Sequence, residues 1–210
     1  FPFPTRPKLP PRHNIAPPQP LAIVRGENGE RHFALARWGL IPSWVKDLSR
    51  FPPLLNARAE TVAGKPAFRA AMRHRRCLVP ADGFYEWQKA ARGAKRPFLT
   101  RPAGGGLMGF AGLWESWTDG QGNQMETAAI ITTTANRTMA PIHDRMPAII
   151  APGDFAVWLD NGDVSSGEAA GLLRPAPDGL LEAVEISRAV NSVANDDAAI
   201  QRPVAGRAGP

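Results

Sequence analysis

What most constrains the fold of this sequence is a series of turn signals that cuts it into strand-length pieces. Asn28-Gly29 separates residues 21–25 from residues 31–37, and an Asn-Gly pair suits a tight hairpin because both residues tolerate positive φ. Residues 76–80 and 84–88 read as strands meeting at Asp82-Gly83. Residues 97–101, 107–116 and 125–134 continue the pattern, with turns at Gly104-Gly105-Gly106 and Asp119-Gly120, and residues 181–186 supply a last strand. Helices are few and short. Residues 66–74 form one, with Pro66 in its first turn and Phe68 and Met72 on one face, and residues 154–159 and 166–173 form two more. Residues 38–53 read as a loop rich in Trp and Pro. Hairpin-joined strands with short flanking helices predict a single α+β domain over residues 1–210, built on a mainly antiparallel sheet. Its first twelve residues include Pro2, Pro4, Pro7, Pro10 and Pro11, so they should run extended along the surface.

A hydrophobic content of 43% with six Trp is enough for a sizeable core. The net charge of +6 favours a polyanionic partner, nucleic acid before membrane, since no segment pairs a basic face with a long apolar one. No run of eighteen apolar residues exists to span a bilayer, and the opening residues lack the apolar core of a signal peptide. The expected compartment is the cytoplasm, with nucleoid association if the source is bacterial, and the expected state is a monomer. A single cysteine, Cys77, excludes an internal disulfide and a cysteine-based zinc site.

Several motifs invite a chemical reading, each with a plainer one beside it. Gly104-x-Gly106-x-x-Gly109 matches a dinucleotide fingerprint in form, but it leads into a strand and not a helix, so a hairpin turn is the better reading and no cofactor is implied. Cys77 could be a nucleophile; within Cys77-Leu78-Val79 a buried strand thiol is the ordinary outcome. His143 precedes Asp144-Arg145 in a loop, a setting that suits proton transfer or equally a loop histidine bonded to backbone. Strand periodicity puts Glu86 on a face with Phe84 and Gln88, opposite Tyr85 and Trp87, where it is either an acid/base or an exposed edge carboxylate. Asn56 with Arg58 fits recognition of a sugar or carbonyl oxygen and a phosphate, or simply a turn. Trp38 and Trp44 flank a loop where exposed rings would stack unpaired bases, or would be buried.

Taken together and in order, these segments resemble a known family. Asn14-Ile15-Ala16-Pro17, residues 38–44, residues 56–61, residues 77–87, residues 111–115 and residues 142–147 occur in the sequence seen in SRAP (SOS response-associated peptidase) domains, which process abasic sites in DNA. Residues 187–191 resemble that family's C-terminal strand and turn. The resemblance implies binding of single-stranded DNA and covalent capture of an abasic site as a thiazolidine by an N-terminal Cys, exposed by removal of the initiator Met through the same site's peptidase activity. It implies that Asn56 positions the reacting groups, that Glu86 is the acid/base, and that His143 assists sugar opening. It puts Arg58 and Arg145 on phosphates, with Trp44, Trp38, Pro17 and Asn14 among the DNA contacts, and it calls for neither metal nor organic cofactor. The family opening, Met-Cys-Gly-Arg, occurs nowhere in the 210 residues. The expectation is that a native segment carrying it precedes residue 1, and that the chain as written binds without cross-linking; the alternative is a non-covalent relative that lacks the nucleophile.

Overall fold

Asn28 and Gly29 both adopt positive φ, 51° and 79°, and turn strand β1 (Pro20–Glu27) into β2 (Glu30–Trp38) over a fully paired antiparallel register. The structure is a computed structural model and describes residues 9–89 and 93–204. The expected Pro-rich extended segment lies outside the described residues as far as residue 8. The chain continues through a 3-10 turn at Leu48–Arg50, the short strand β3 (Asn56–Arg58), helix α1 (Arg69–His74), β4 (Arg76–Ala81) and β5 (Phe84–Gln88). Then come β6 (Arg96–Pro102), β7 (Met108–Thr118), β8 (Gln124–Thr134), β9 (Arg145–Pro147) and β10 (Ile149–Ile150). Helices α2 (Phe155–Leu159) and α3 (Ser166–Ala170) and strand β11 (Leu181–Glu185) complete the named elements.

The strand-rich α+β architecture is the one the sequence predicts, with one addition: the main sheet closes. Strands β7, β4, β1, β2 and β8 pair in that order, and β8 pairs back onto β7, making a ring. A ring of five strands cannot be antiparallel throughout, so one pairing has to be parallel; here it is β2 with β8. Strand β3 adds to β8, also in parallel, while β9 and β10 pair antiparallel with β8 and β7.

Side chains on alternate faces of these strands feed two cores. Leu78, Ala129 and Ile131 pack with Met72 of α1, Trp158 of α2 and Ala169 of α3. Cys77, Val79, Ala128 and Ile130 face the other way, toward Phe98, Phe110 and Met146. Arg76 fastens the helical layer. It is fully buried, stacked over the Trp158 ring, and donates to the carbonyls of Met72 (2.9 Å), Trp158 (2.8 Å), Val164 (3.1 Å) and Asp160.

Several local readings need correction. Strands β4 and β5 do not pair across Asp82-Gly83: β5 leaves the ring and joins β6 and β11 in a second, three-stranded sheet. A Cβ on Gly83 would come within 2.8 Å of a Leu99 methyl and 3.1 Å of the Thr100 carbonyl, so the chain passes close to β6 at this crossing. The Gly104–Gly106 turn likewise joins strands of different sheets and is no hairpin. Residues 188–191 form a 3-10 turn, capped by the Ser187 side chain accepting from Ala189 N–H; of the strand and turn that the resemblance implies for residues 187–191, the strand ends earlier, at Glu185. Helix α1 begins at Arg69, later than Pro66, and turns occupy residues 59–64 and 66–68 before it. No helix among the described residues is long and apolar enough to cross a membrane.

Candidate functional site

Where the second sheet leans over the ring, a cleft of about 820 Å³ opens above an apolar floor of Val79, Phe110, Ile130 and Met146. Its walls come from distant parts of the chain: β5, the start of β3, the turn into β9, and the segment Arg12–Pro17. Asn56, Glu86 and His143 all line it, as do Arg145, Trp38, Pro17 and Asn14.

Asn56 is the first residue of β3, paired with Ile130, and its exposed side chain is free to bond a ligand. Glu86 stands half buried on β5, where Tyr85 and Trp87 turn the opposite way into a small cluster with Leu99 and Val190, as the strand period predicts. One Glu86 oxygen accepts the N–H of Trp87 at 3.1 Å, so the other remains available to the cleft. His143 accepts the backbone N–H of Arg145 on Nδ1 at 3.0 Å. The neutral ring therefore carries its proton on Nε2. The 3.2 Å approach of Asp144 to the same Nδ1 is an ion pair only when the ring is doubly protonated, because the lone pair is otherwise already in use.

Arg145 does not hang free. Its two terminal nitrogens grip Glu60 in a fork, at 2.7 and 3.0 Å, and Nη2 also donates to the Thr132 carbonyl at 2.5 Å. This hydrogen bonding holds the Glu60 carboxyl below its usual pKa despite an opposing desolvation. Trp38 is half buried and donates from Nε1 to Leu55 O at 3.1 Å, offering one ring face to the cleft.

Two expected contacts stand apart from the cleft. Trp44 is 57% exposed and rests edge-on against Phe51, with centroids 5.6 Å apart. Arg58 shares a strand face with Asn56, is exposed, and makes no ion pair among the described residues. Asn14 is buried, and its amide nitrogen is engaged by the carbonyls of Val190, Ser192 and Asn195, so it fixes the wall.

Sequence reading misses how that wall is tied down. One Asp196 oxygen accepts from the N–H groups of His13 (2.5 Å) and Asn14 (2.7 Å), and the other pairs with Arg12. Tyr85 donates its hydroxyl to His13 O at 2.5 Å, and Gln201 donates to that hydroxyl at 3.0 Å. No local motif marks Asp196, since its partners lie more than 180 residues away. Glu60, two residues after Arg58, carries no such mark either. Cys77 is fully buried, and desolvation pushes its thiol well above the ordinary range, so it is a core residue. Among the described residues, no three His, Cys, Asp or Glu side chains gather to hold a metal.

The profile of the SOS response associated peptidase (SRAP) family matches residues 3–193. An abasic site processing protein of Bacillus subtilis, YoaM, is 39% identical over 188 residues, 90% of this chain and 83% of that one. Abasic site processing protein YedK of Escherichia coli is 30% identical over 198 residues, 92% of this chain and 85% of its own length. Among solved structures, a protein from Bacteroides thetaiotaomicron superimposes with a TM-score of 0.80 at 30% identity, covering 89% of this chain and 82% of that one.

Proposed function

This chain belongs to the SOS response associated peptidase (SRAP) family, and on that premise we propose that it processes abasic sites in single-stranded DNA. The supporting observation is convergence: an amide, a carboxylate and an imidazole from three distant segments line one cleft whose floor is apolar. A flat, unpaired base or a vacated sugar fits such a floor, while a duplex would present a phosphate wall to it. Trp38 supplies a ring face for stacking, and Arg145 and Arg58 supply charge for the backbone on either side.

In the chemistry we propose, an N-terminal Cys supplied ahead of this sequence adds its amine to the aldehyde of the opened sugar. Loss of water gives an imine, and the thiol sulfur then adds to the imine carbon while its proton moves to nitrogen, closing a thiazolidine. Glu86 handles the protons of dehydration and ring closure. His143, which lines the cleft and carries the proton of its neutral ring on Nε2, donates to or accepts from the sugar oxygen as the ring opens. Asn56 orients the sugar between them. The peptidase activity in the family's description would serve to expose that N-terminal Cys by removing Met.

Fluorescence anisotropy with labelled oligonucleotides tests the binding half of the reading on the 210-residue chain itself. Single-stranded DNA with one abasic site should bind more tightly than the matching duplex, and log K should fall with log salt at about 0.7 per phosphate neutralised. Equal affinity for duplex, or a flat salt response, would refute the assignment of the cleft to single strands.

A further inference from the structure

Arg145 meets its carboxylate in the geometry that guanidinium uses for phosphate, two parallel N–H bonds from one edge. We propose that Glu60 is a built-in competitor for phosphate at Arg145, so that the cleft admits a DNA strand by exchanging a carboxylate for a phosphate on one guanidinium. The inference rests on the proposed role of Arg145 as a backbone contact.

Three observations carry it. The guanidinium is held in place without Glu60, because Nη2 also donates to the carbonyl and hydroxyl of Thr132, at 2.5 and 3.3 Å. Release of Glu60 would therefore leave a fixed cation and not a wandering side chain. Glu60 itself is 47% exposed at its side chain and lies on the turn just after β3. Among the described residues its carboxylate is hydrogen-bonded by no side chain except Arg145, so it can swing into water. Finally, Arg145 lines the cleft, so the fork that Glu60 vacates would be open to a phosphate, which has the oxygens to take it.

Exchange has a measurable consequence. With Glu60 in place, a phosphate meets a pair of net charge zero; with Gln, it meets a full positive charge. Glu60→Gln is nearly isosteric and lies at a half-exposed position, so folding should be preserved. Its affinity for abasic single-stranded DNA, compared with that of Arg145→Gln and the double variant across a salt series, tests the idea. Glu60→Gln should tighten binding about two- to fivefold, as expected from relieving one partly exposed ion pair, and should steepen the salt slope by about 0.7. Arg145→Gln should weaken binding and abolish the effect of Glu60→Gln.

If Glu60→Gln weakens binding or leaves it unchanged while Arg145→Gln weakens it, Glu60 merely steadies Arg145 and exchange is wrong. An equal gain in the Arg145→Gln background would mark a general charge effect and would also overturn it. An unchanged affinity for Arg145→Gln alone would remove the backbone role of Arg145, and the exchange with it, while leaving the single-strand assignment of the cleft to its own test.

Discussion

The backbone N–H of Arg145 donates to Nδ1 of His143 at 3.0 Å, and this one bond sets which ring nitrogen carries the proton of the neutral imidazole. Two residues of the same turn are thus coupled: the main chain of Arg145 orients the ring of His143, while the Arg145 guanidinium is held by Glu60 and Thr132. Because Nδ1 is occupied, Nε2 is the nitrogen that carries the proton of the neutral ring. Asp144, although adjacent and 87% exposed at its side chain, is not needed to fix that tautomer.

Replacing Asp144 with Asn should therefore change the rate of abasic-site capture less than about threefold, as for other surface substitutions. Replacing His143 with Ala should slow it by about 10²-fold or more while leaving the Kd for single-stranded DNA within a factor of a few. Single-turnover kinetics on a Cys-bearing form of the protein, beside anisotropy, would separate the two effects. A large loss in Asp144→Asn would mean that the carboxylate, and not the main chain, orients the ring.

Glu86→Gln keeps the bond to Trp87 N–H but cannot move a proton. It should bind abasic DNA as tightly as the parent and capture it about 10²- to 10⁴-fold more slowly. Parallel loss of affinity and rate would instead make Glu86 a binding residue.

The Asp196 clasp should be sensitive to acid. Burial tends to raise its pKa, but bonds from the Arg12 side chain and from the N–H groups of His13 and Asn14 outweigh this and hold it below the usual value. A depressed folded-state pKa means the clasp contributes fully above the unfolded value of about 4 and is lost as pH falls through the lower folded value. Hydrogen exchange at the amides of His13 and Asn14 should thus stay slow near neutral pH. In Asp196→Ala, which removes the acceptor, it should be fast at every pH, with the ring of strands unaffected.

Arg76 is a test of the fold and not of the chemistry. Changing it to Met would leave the carbonyls of Met72, Trp158, Asp160 and Val164 buried and without this donor. At about 1–3 kcal/mol for each unsatisfied group, with partial relaxation, a loss of at least about 3 kcal/mol is expected in urea denaturation. A loss below about 1 kcal/mol would show that water or another donor takes over.

The elements legible in the sequence are those whose signals are local. Strands β1, β2, β4 to β8 and β11 are strand-length runs bounded by turn residues, and Asn28-Gly29 names its own turn. The closure of the ring is not local: it depends on β8 finding both β7 and β2, and on Thr127 and Ala128 accepting Arg37 and Trp38 as parallel neighbours. Strands as short as β9 and β10 have too few residues to show any period. The departure of β5 from β4 rests on its pairing with β6 in a second sheet, which no local pattern of apolar residues encodes. In the same way Asn56, Glu86 and His143 can be singled out by residue type and by resemblance, whereas the grip of Glu60 on Arg145 and of Asp196 on His13 and Asn14 exists only once the chain has folded.

Covalent capture is the central claim, and a denaturing gel tests it most directly. The chain would be given a Cys-Gly-Arg opening ahead of Phe1 and incubated with single-stranded DNA carrying one abasic site. A denaturant-resistant shifted band is predicted that disappears when the N-terminal Cys becomes Ala, persists in Cys77→Ala, and is absent for the 210-residue chain as it stands. A band that survives loss of the N-terminal Cys, or no band from a protein that still binds the strand under native conditions, would contradict it.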